Sequence, residues 1–299
     1  MTARRSSEGG SIALLALWGV VVIFGIIAAV DYLSRAELAI ADNEIAASHA
    51  RDAAEAGTQL GLARLLRRRG AGTTVFPGSP ETWREAGARV DIAIVDEAGK
   101  IDINVAPLEL LSGLLTAIGR PRAEAVQLAC VILDRRGEPA DGCPPLAAGR
   151  RGHRFAVPEE LAALPGFDAA LYDALAESIT TATGATAVDP RIASRPVLLA
   201  IPGATPGLVD AYLANRAMWQ DVGLVGDGLG PLPGGAFLMA TPARDFTIEA
   251  IAWAGAARFR ADLQVRLTGE PRRPYRVVAW RGIQADRGLA ALAAPPRVP

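Results

Sequence analysis

Histidine and cysteine are nearly missing from this 299-residue chain, which carries two of each. His49 and His153 stand far from each other and from Cys130 and Cys143, so no ligand set with zinc spacing forms. No G-x-S-x-G, H-E-x-x-H or C-x-x-C occurs, and neither histidine has an evident partner, so no catalytic machinery is legible and no enzyme is expected. An excess of one charge is missing too: 31 basic residues face 32 acidic ones, for a formal charge of -1. No long basic block appears, which disfavours bulk nucleic-acid binding. Proline is absent from Asp31 to Arg69, and that absence leaves a helix free to run.

What is present begins with Ser11 to Val30, SIALLALWGVVVIFGIIAAV, an apolar run without a charge. About 20 residues at 1.5 Å rise span the roughly 30 Å hydrocarbon core, so the run reads as a membrane helix. Arg4 and Arg5 precede it and Asp31 follows it, which places the N-terminus in the cytoplasm and exports the body. The other reading is a secretory signal, with an apolar region of about 7 to 15 residues ending at a small-x-small site. The run here is longer, and Asp31-Tyr32-Leu33 is a poor cleavage site. In an oxidising exterior Cys130 and Cys143 suit a disulfide, and they equally suit two free buried thiols; both readings stand.

Beyond Val30 the stretch to Arg69 is rich in Ala, Leu, Glu and Arg, so the membrane helix is expected to continue outward. Leu33, Ala36, Ile40, Ala47, Ala50, Ala54, Leu62 and Leu65 form a narrow stripe suited to packing on a sheet or a helix. Arg64, Arg67, Arg68 and Arg69 read as a solvated cluster matching the helix dipole. Gly70, Gly72, Pro77, Gly78 and Pro80 end the helix. Arg89 to Asp96 alternates as a strand, followed by a turn at Glu97 to Lys100. Phe246 to Trp253, Arg258 to Thr268 and Tyr275 to Trp280 form a C-terminal meander. In it Arg258, Arg260, Asp262, Gln264, Arg266 and Thr268 make a wet face. Three strands cannot cover their own apolar face, so the long helix is the expected lid. The fold class is α+β: a long N-terminal transmembrane helix on an antiparallel sheet.

The sheet is interrupted. Ile103 to Leu238 reads as a large inserted all-α domain, with two similar units. Pro158 to Phe167 with Leu171 and Leu175, and Arg195 to Ala204 with Leu208 and Leu213, each read as helix, Pro-Gly turn, helix. Residues 1–10 are then a leader, 11–30 the membrane helix, and 31–102 helix extension and first strand. Residues 103–238 are the insertion, 239–283 the closing strands, and 284–299 a flexible tail.

Taken in order, Gly10-Ser11, then Asp96-Glu97-Ala98-Gly99-Lys100-Ile101-Asp102-Ile103-Asn104-Val105-Ala106, then Leu164-Pro165-Gly166 and Ile201-Pro202-Gly203 resemble the K-type minor pseudopilins of type II secretion systems, the general secretion pathway protein K family. The resemblance runs from about Gly10 to Trp280. It implies a pilin-like sheet, cleavage between Gly10 and Ser11 by a prepilin peptidase, and methylation of the Ser11 amine. The implied place is the inner membrane, single-pass, with the body in the periplasm. The implied role is to initiate or cap a pseudopilus at its tip in protein export, with I- and J-type minor pseudopilins and the major pseudopilin as partners. Most pilins carry Glu as the fifth residue after cleavage; here that residue is Leu15, as the K-type family resembles. A carboxylate without a partner in hydrocarbon costs roughly 2.5–3.5 kcal/mol, so a subunit with none above it does better with Leu. Read alone, Leu15 is equally another membrane residue. Some members hold calcium, and Asp134, Glu138 and Asp141 are the matching candidates. Their spacing is not an EF-hand, and a solvated acidic loop beside Arg135 and Arg136 is the plainer reading; no cofactor is required.

A different class competes. Helix-hairpin-helix modules also use a Pro-Gly turn to bring backbone amides to a phosphate, so a membrane-anchored DNA-binding or uptake protein is the alternative. Against it, neither turn has a second glycine two places on, and Asp168 and Asp210 add negative charge. Nucleic acid is therefore not expected as a partner.

Overall fold

The computed structural model describes residues 8–70, 80–85, 87–145, 152–221, 232–240 and 244–284. The leader residues 1–7 and the tail from residue 285 lie outside the described residues.

The proline-free N-terminal stretch forms one unbroken helix, α1 (Glu8–Gly70), 63 residues and so roughly 95 Å long. Among the described residues it is the one helix long and apolar enough to cross a membrane, and none of its qualifying apolar stretch is buried. Leu15, Trp18, Phe24 and Val30 are all exposed, and so are Leu33 and Ile40 beyond them. Burial begins only in the second half. Ala50, Ala54, Thr58, Leu62 and Leu65 form a buried stripe at helical spacing. Gly57 and Gly61 lie on that stripe, where side chains of the sheet come within contact of both backbones.

The sheet has five strands in the order β1 (Glu81–Glu85), β2 (Ala88–Asp96), β5 (Asp245–Ala254), β6 (Ala257–Glu270) and β7 (Arg273–Gln284), all pairs antiparallel. Val90 and Ile92, Phe246 to Ala252 at alternate positions, and Phe259 to Val265 at alternate positions pack against α1 in one core. The strand β1 was not legible: its sequence ETWRE offers one apolar residue. Glu81 holds it in place, receiving Arg64 and Arg68 of α1 at 2.7 Å each. The arginine cluster is thus corrected in part, since these two guanidinium groups pin an edge strand.

A second correction concerns β6. Its expected wet face is covered where Asp262 and Gln264 lie, both buried. The helical region sits over them: Arg281 of β7 binds Glu159 at 2.7 Å, and Arg266 of β6 donates to the Ala182 carbonyl. The sheet is therefore the middle of three layers.

The helical region interrupts two strands that are neighbours in the sheet, leaving after Asp96 and returning at Asp245, and Asp96 stands opposite Phe246. It holds α2 (Leu108–Ala117), α3 (Arg122–Arg136), a 3-10 turn at Pro158–Ala163, α4 (Ala169–Leu175), α5 (Arg195–Leu199) and α6 (Pro206–Asp221). It is not purely helical: β3 (Ile101–Asp102) and β4 (Ile179–Thr180) form a short parallel pair. Leu110, Leu114, Leu128, Ile132, Leu161, Leu171, Leu198 and Ile201 make its own core. In the second repeat unit Val209 and Tyr212 are buried and Leu213 packs against the same core, while Leu208 is exposed, so α6 turns Val209 inward in place of Leu208.

Heights along α1 are fixed by close contacts. A methyl on Gly255, at the β5–β6 turn, would stand 3.8 Å from Ala46, and one on Gly61 would stand 2.5 Å from Ile248. The sheet therefore points Asp96 and Asp245 toward the C-terminal end of α1, away from its apolar half, and the helical region leaves from that far end.

Candidate functional site

Two features invite function: the bare half of α1 and the joint that mounts the helical region on the sheet. Gly10 and Ser11 lie within α1, and Leu15 is 71% exposed on it. From Val30 to Ala46 the helix projects past the sheet for roughly 24 Å at 1.5 Å per residue. Leu33, Leu38, Ile40 and Ile45 remain exposed there. Water does not favour such a surface, and a stem of this kind is satisfied by lipid or by another apolar helix.

The joint is built by the segment Asp96 to Ala106. Asp96 ends β2 and accepts from the Ala98 amide at 3.0 Å, turning the chain. Glu97 is buried, accepting from Lys100 Nζ at 2.9 Å and from Thr247 Oγ1 at 2.8 Å, which ties the turn to β5. A methyl on Gly99 would stand 2.9 Å from the Ile192 carbonyl oxygen, so this glycine serves close packing. The Ile101 and Ile103 amides pair with Ser178 and Thr180 at 2.9 Å each. Asp102 then accepts from the Asn104 and Gly184 amides, and Asn104 pairs both ways with Phe155, accepting from its amide at 2.7 Å and donating to its carbonyl at 2.9 Å. Apart from the side-chain pairs of Glu97, these hydrogen bonds satisfy backbone groups that burial would otherwise leave unpaired. The polar residues of this segment thus orient one layer against another. Their partners at positions 155 and 184 are distant in sequence, so the pairing had no local signal. Arg136 was also missed as a joint residue; its guanidinium, almost wholly buried, donates to the Ile103 and Ala106 carbonyls.

Beneath the joint, between the sheet's polar face and α4, lies a cleft of about 410 Å³ lined in part by Glu97, Glu159, Tyr172, Glu249, Arg260 and Arg281. Burial pushes the Glu249 carboxyl up, against the pull of Arg260. Burial first, and Glu159 next, push the Tyr172 hydroxyl up to about 12. Glu249 pairs with Arg260 at 3.1 Å, so the cleft reads as an ion-paired layer boundary.

The two Pro-Gly turns share a geometry, with Gly166 and Gly203 both at positive φ and with the Phe167 and Ala204 amides reaching back to the Leu164 and Ile201 carbonyls. Neither offers a phosphate cradle. Asp168 caps α4 through the Leu171 amide at 2.7 Å, Pro233 packs over Gly203, and Asp210 is held by Arg195 at 2.7 Å.

Cys130 and Cys143 are joined, with Sγ atoms 2.01 Å apart, and among the described residues no cysteine is free. The bridge ties α3 to the loop after it. The calcium candidates do not converge: among the described residues no group of three His, Cys, Asp or Glu could hold a metal. The reason is local. Helix α3 ends on Gly137 in the left-handed region, with the Glu138 amide returning to Leu133, and this turn sends the Glu138 side chain to Arg136.

No protein-family model matches the chain, and no curated protein matches it. Among solved structures, a chain in the crystal structure of the GspK-GspI-GspJ complex from the enterotoxigenic Escherichia coli type 2 secretion system is similar, at 13% identity over 70% of this chain and 84% of that one, with a TM-score of 0.48. At that level of likeness neither membership of a family nor a shared activity follows.

Proposed function

We propose that the chain is a minor pseudopilin of the K type, anchored in the inner membrane with its body in the periplasm, acting at the tip of a type II secretion pseudopilus. The observation that carries this is the division of α1. Its first half is apolar and bare, its second half is the lid of the sheet, and one rigid rod joins them. Such a rod transmits position from the membrane to the body, as a filament subunit requires.

Capping is supported by where the bulk lies. The helical region leaves the sheet at Asp96 and Asp245, the end away from the apolar half of α1, so it crowns the body and obstructs a subunit approaching from above. At the lower end, removal of Met1 to Gly10 by a prepilin peptidase frees the Ser11 amine for methylation. Leu15 leaves no carboxylate to answer a neighbour's N-terminus, which a topmost subunit does not need. The role is mechanical: the stem packs beside stems of I- and J-type minor pseudopilins, and the joint holds the crown at a fixed angle above them. It needs no catalytic group and no cofactor.

Sedimentation of the chain mixed with I- and J-type minor pseudopilins tests this role. A complex of fixed small stoichiometry is expected, with no polymer from this chain alone. Long filaments formed by this chain alone would contradict capping, and failure to associate would contradict the pseudopilin reading.

A further inference from the structure

The cleft between the sheet and α4 holds more carboxylate than its own cations answer. Its lining carries six carboxylates and three cations. Lys100 answers Glu97, and Arg281 answers Glu159. Glu249 and Asp262 stand directly opposite each other on β5 and β6 and share the guanidinium of Arg260, although like charges so placed repel. Asp173 on α4 and Glu177 just beyond it are exposed and form no ion pair among the described residues. The upward push on the Glu249 carboxyl is the direction expected where a buried carboxylate is short of cations.

A second observation, independent of charge, lies in the same cleft. Gln264 of β6 lines it and is only 8% exposed. Among the described residues its side-chain amide has no hydrogen-bond partner. The register explains why. Its neighbour on β5 is Thr247, whose hydroxyl is committed to Glu97, and its neighbour on β7 is Ala279, which has no polar side-chain atom. Burying an amide unpaired is costly, so one that faces an open volume of about 410 Å³ points to a ligand that pairs with it. Among the described residues no three acidic groups come together as a metal site, so the surplus charge is spread along the cleft. Val95, Pro158 and Ala176 add apolar lining, and the volume is that of a small-molecule site, roughly 300–1,000 Å³.

We propose that this cleft binds a small organic dication, with ammonium or guanidinium groups joined by a short aliphatic chain. Its cationic ends meet the carboxylates of Glu249 and Asp262 on the sheet and of Asp173 and Glu177 at α4, and one N–H donates to the side-chain carbonyl of Gln264. Because the cleft lies between the sheet and the helical region, the bound dication ties those two layers together. The inference goes beyond the pseudopilin reading and does not rest on it, so its failure would leave that reading standing.

The test titrates the full chain in detergent with agmatine, which carries a guanidinium and an ammonium on a butyl chain, and follows both the heat and the melting temperature. Saturable binding and a raised melting temperature are expected, with neither from butanediol or glutarate. Gln264→Leu should keep or raise the melting temperature of the free chain and bind agmatine roughly tenfold more weakly, as the loss of a hydrogen bond to a charged group requires. The D173N/E177Q double variant, changed only at exposed positions, should bind roughly threefold more weakly and lose part of the salt dependence; it decides the matter if Gln264→Leu fails to fold. Absence of saturable binding, equal binding of glutarate, or unchanged affinity in either folded variant would overturn the proposal. Tighter binding of a short arginine-containing peptide than of agmatine would also overturn it, by showing that the cleft takes a side chain of another protein.

Discussion

Adding one methyl to Gly61 should loosen the whole sheet, although the same change ordinarily strengthens a helix. In an exposed helix interior Gly→Ala gains roughly 1 kcal/mol. Here the new Cβ would sit 2.5 Å from Ile248 Cγ2 and 3.1 Å from Ile92 Cγ2. Both methyls are on β-branched side chains, which cannot swing aside without moving the strand. Overpacking of this kind costs about 1–3 kcal/mol, so Gly61→Ala should destabilise by up to about 2 kcal/mol net. Gly57→Ala meets Val90 Cγ1 at 2.7 Å and Ala250 Cβ at 3.0 Å and should behave alike. The double variant should cost less than the sum, because a helix lifted by one methyl already makes room for the other. Gly207, on α6 with nothing within 4 Å of an added methyl, is the control and should not lose stability. Thermal unfolding of the three single variants decides the matter. If Gly61→Ala raises the melting temperature as Gly207→Ala does, the close seating of α1 on β2 and β5 is wrong.

Asn104→Leu should cost about 2–4 kcal/mol, because it deletes two hydrogen bonds and orphans the Phe155 amide and carbonyl in the interior; a loss under about 1 kcal/mol by chemical denaturation would argue against the joint. Labelling of the unfolded, unreduced chain should find no free thiol, and the Cys130→Ser/Cys143→Ser variant should lose roughly 2–3 kcal/mol for so short a loop; two labelled thiols would refute the bridge. For Glu249 the sign follows from burial, which raises its carboxyl above the ordinary 4.5. A raised acid costs stability once ionised, a cost absent below the unfolded value and complete above the folded one. The melting temperature of Glu249→Gln relative to the parent should therefore rise between pH ~4 and pH ~7, and a fall over that range would reverse the assignment.

Much of the sheet was legible because alternation is a local property. Arg89 to Asp96 and the three closing strands each carry enough residues to display it, and a run like Ser11 to Val30 needs no partner to be recognised. What stayed hidden depends on pairs distant in the chain. Strand β1 exists because Glu81 meets Arg64 and Arg68, and β3 and β4 are two residues each, too short for any period. The polar face of β6 looked wet because nothing local says that the helical region returns to cover Asp262 and Gln264. At the joint, Asp96, Gly99 and Asn104 stood out in the sequence as a motif, but their tasks appear only with Ile192 and Phe155 in place. Leu208 misled because leucine content alone does not say which neighbour turns inward: Val209 and Tyr212 fill the core with Leu213 packed beside them, and Leu208 faces out.

Mass spectrometry of the mature N-terminus, from cells with and without an active prepilin peptidase, tests the central claim most directly. The account predicts a chain that begins at Ser11, carries a methyl group on its amine, and reverts to the uncut form when the peptidase is inactive. A mature chain that still begins at Met1, or one that begins beyond Val30, would contradict it.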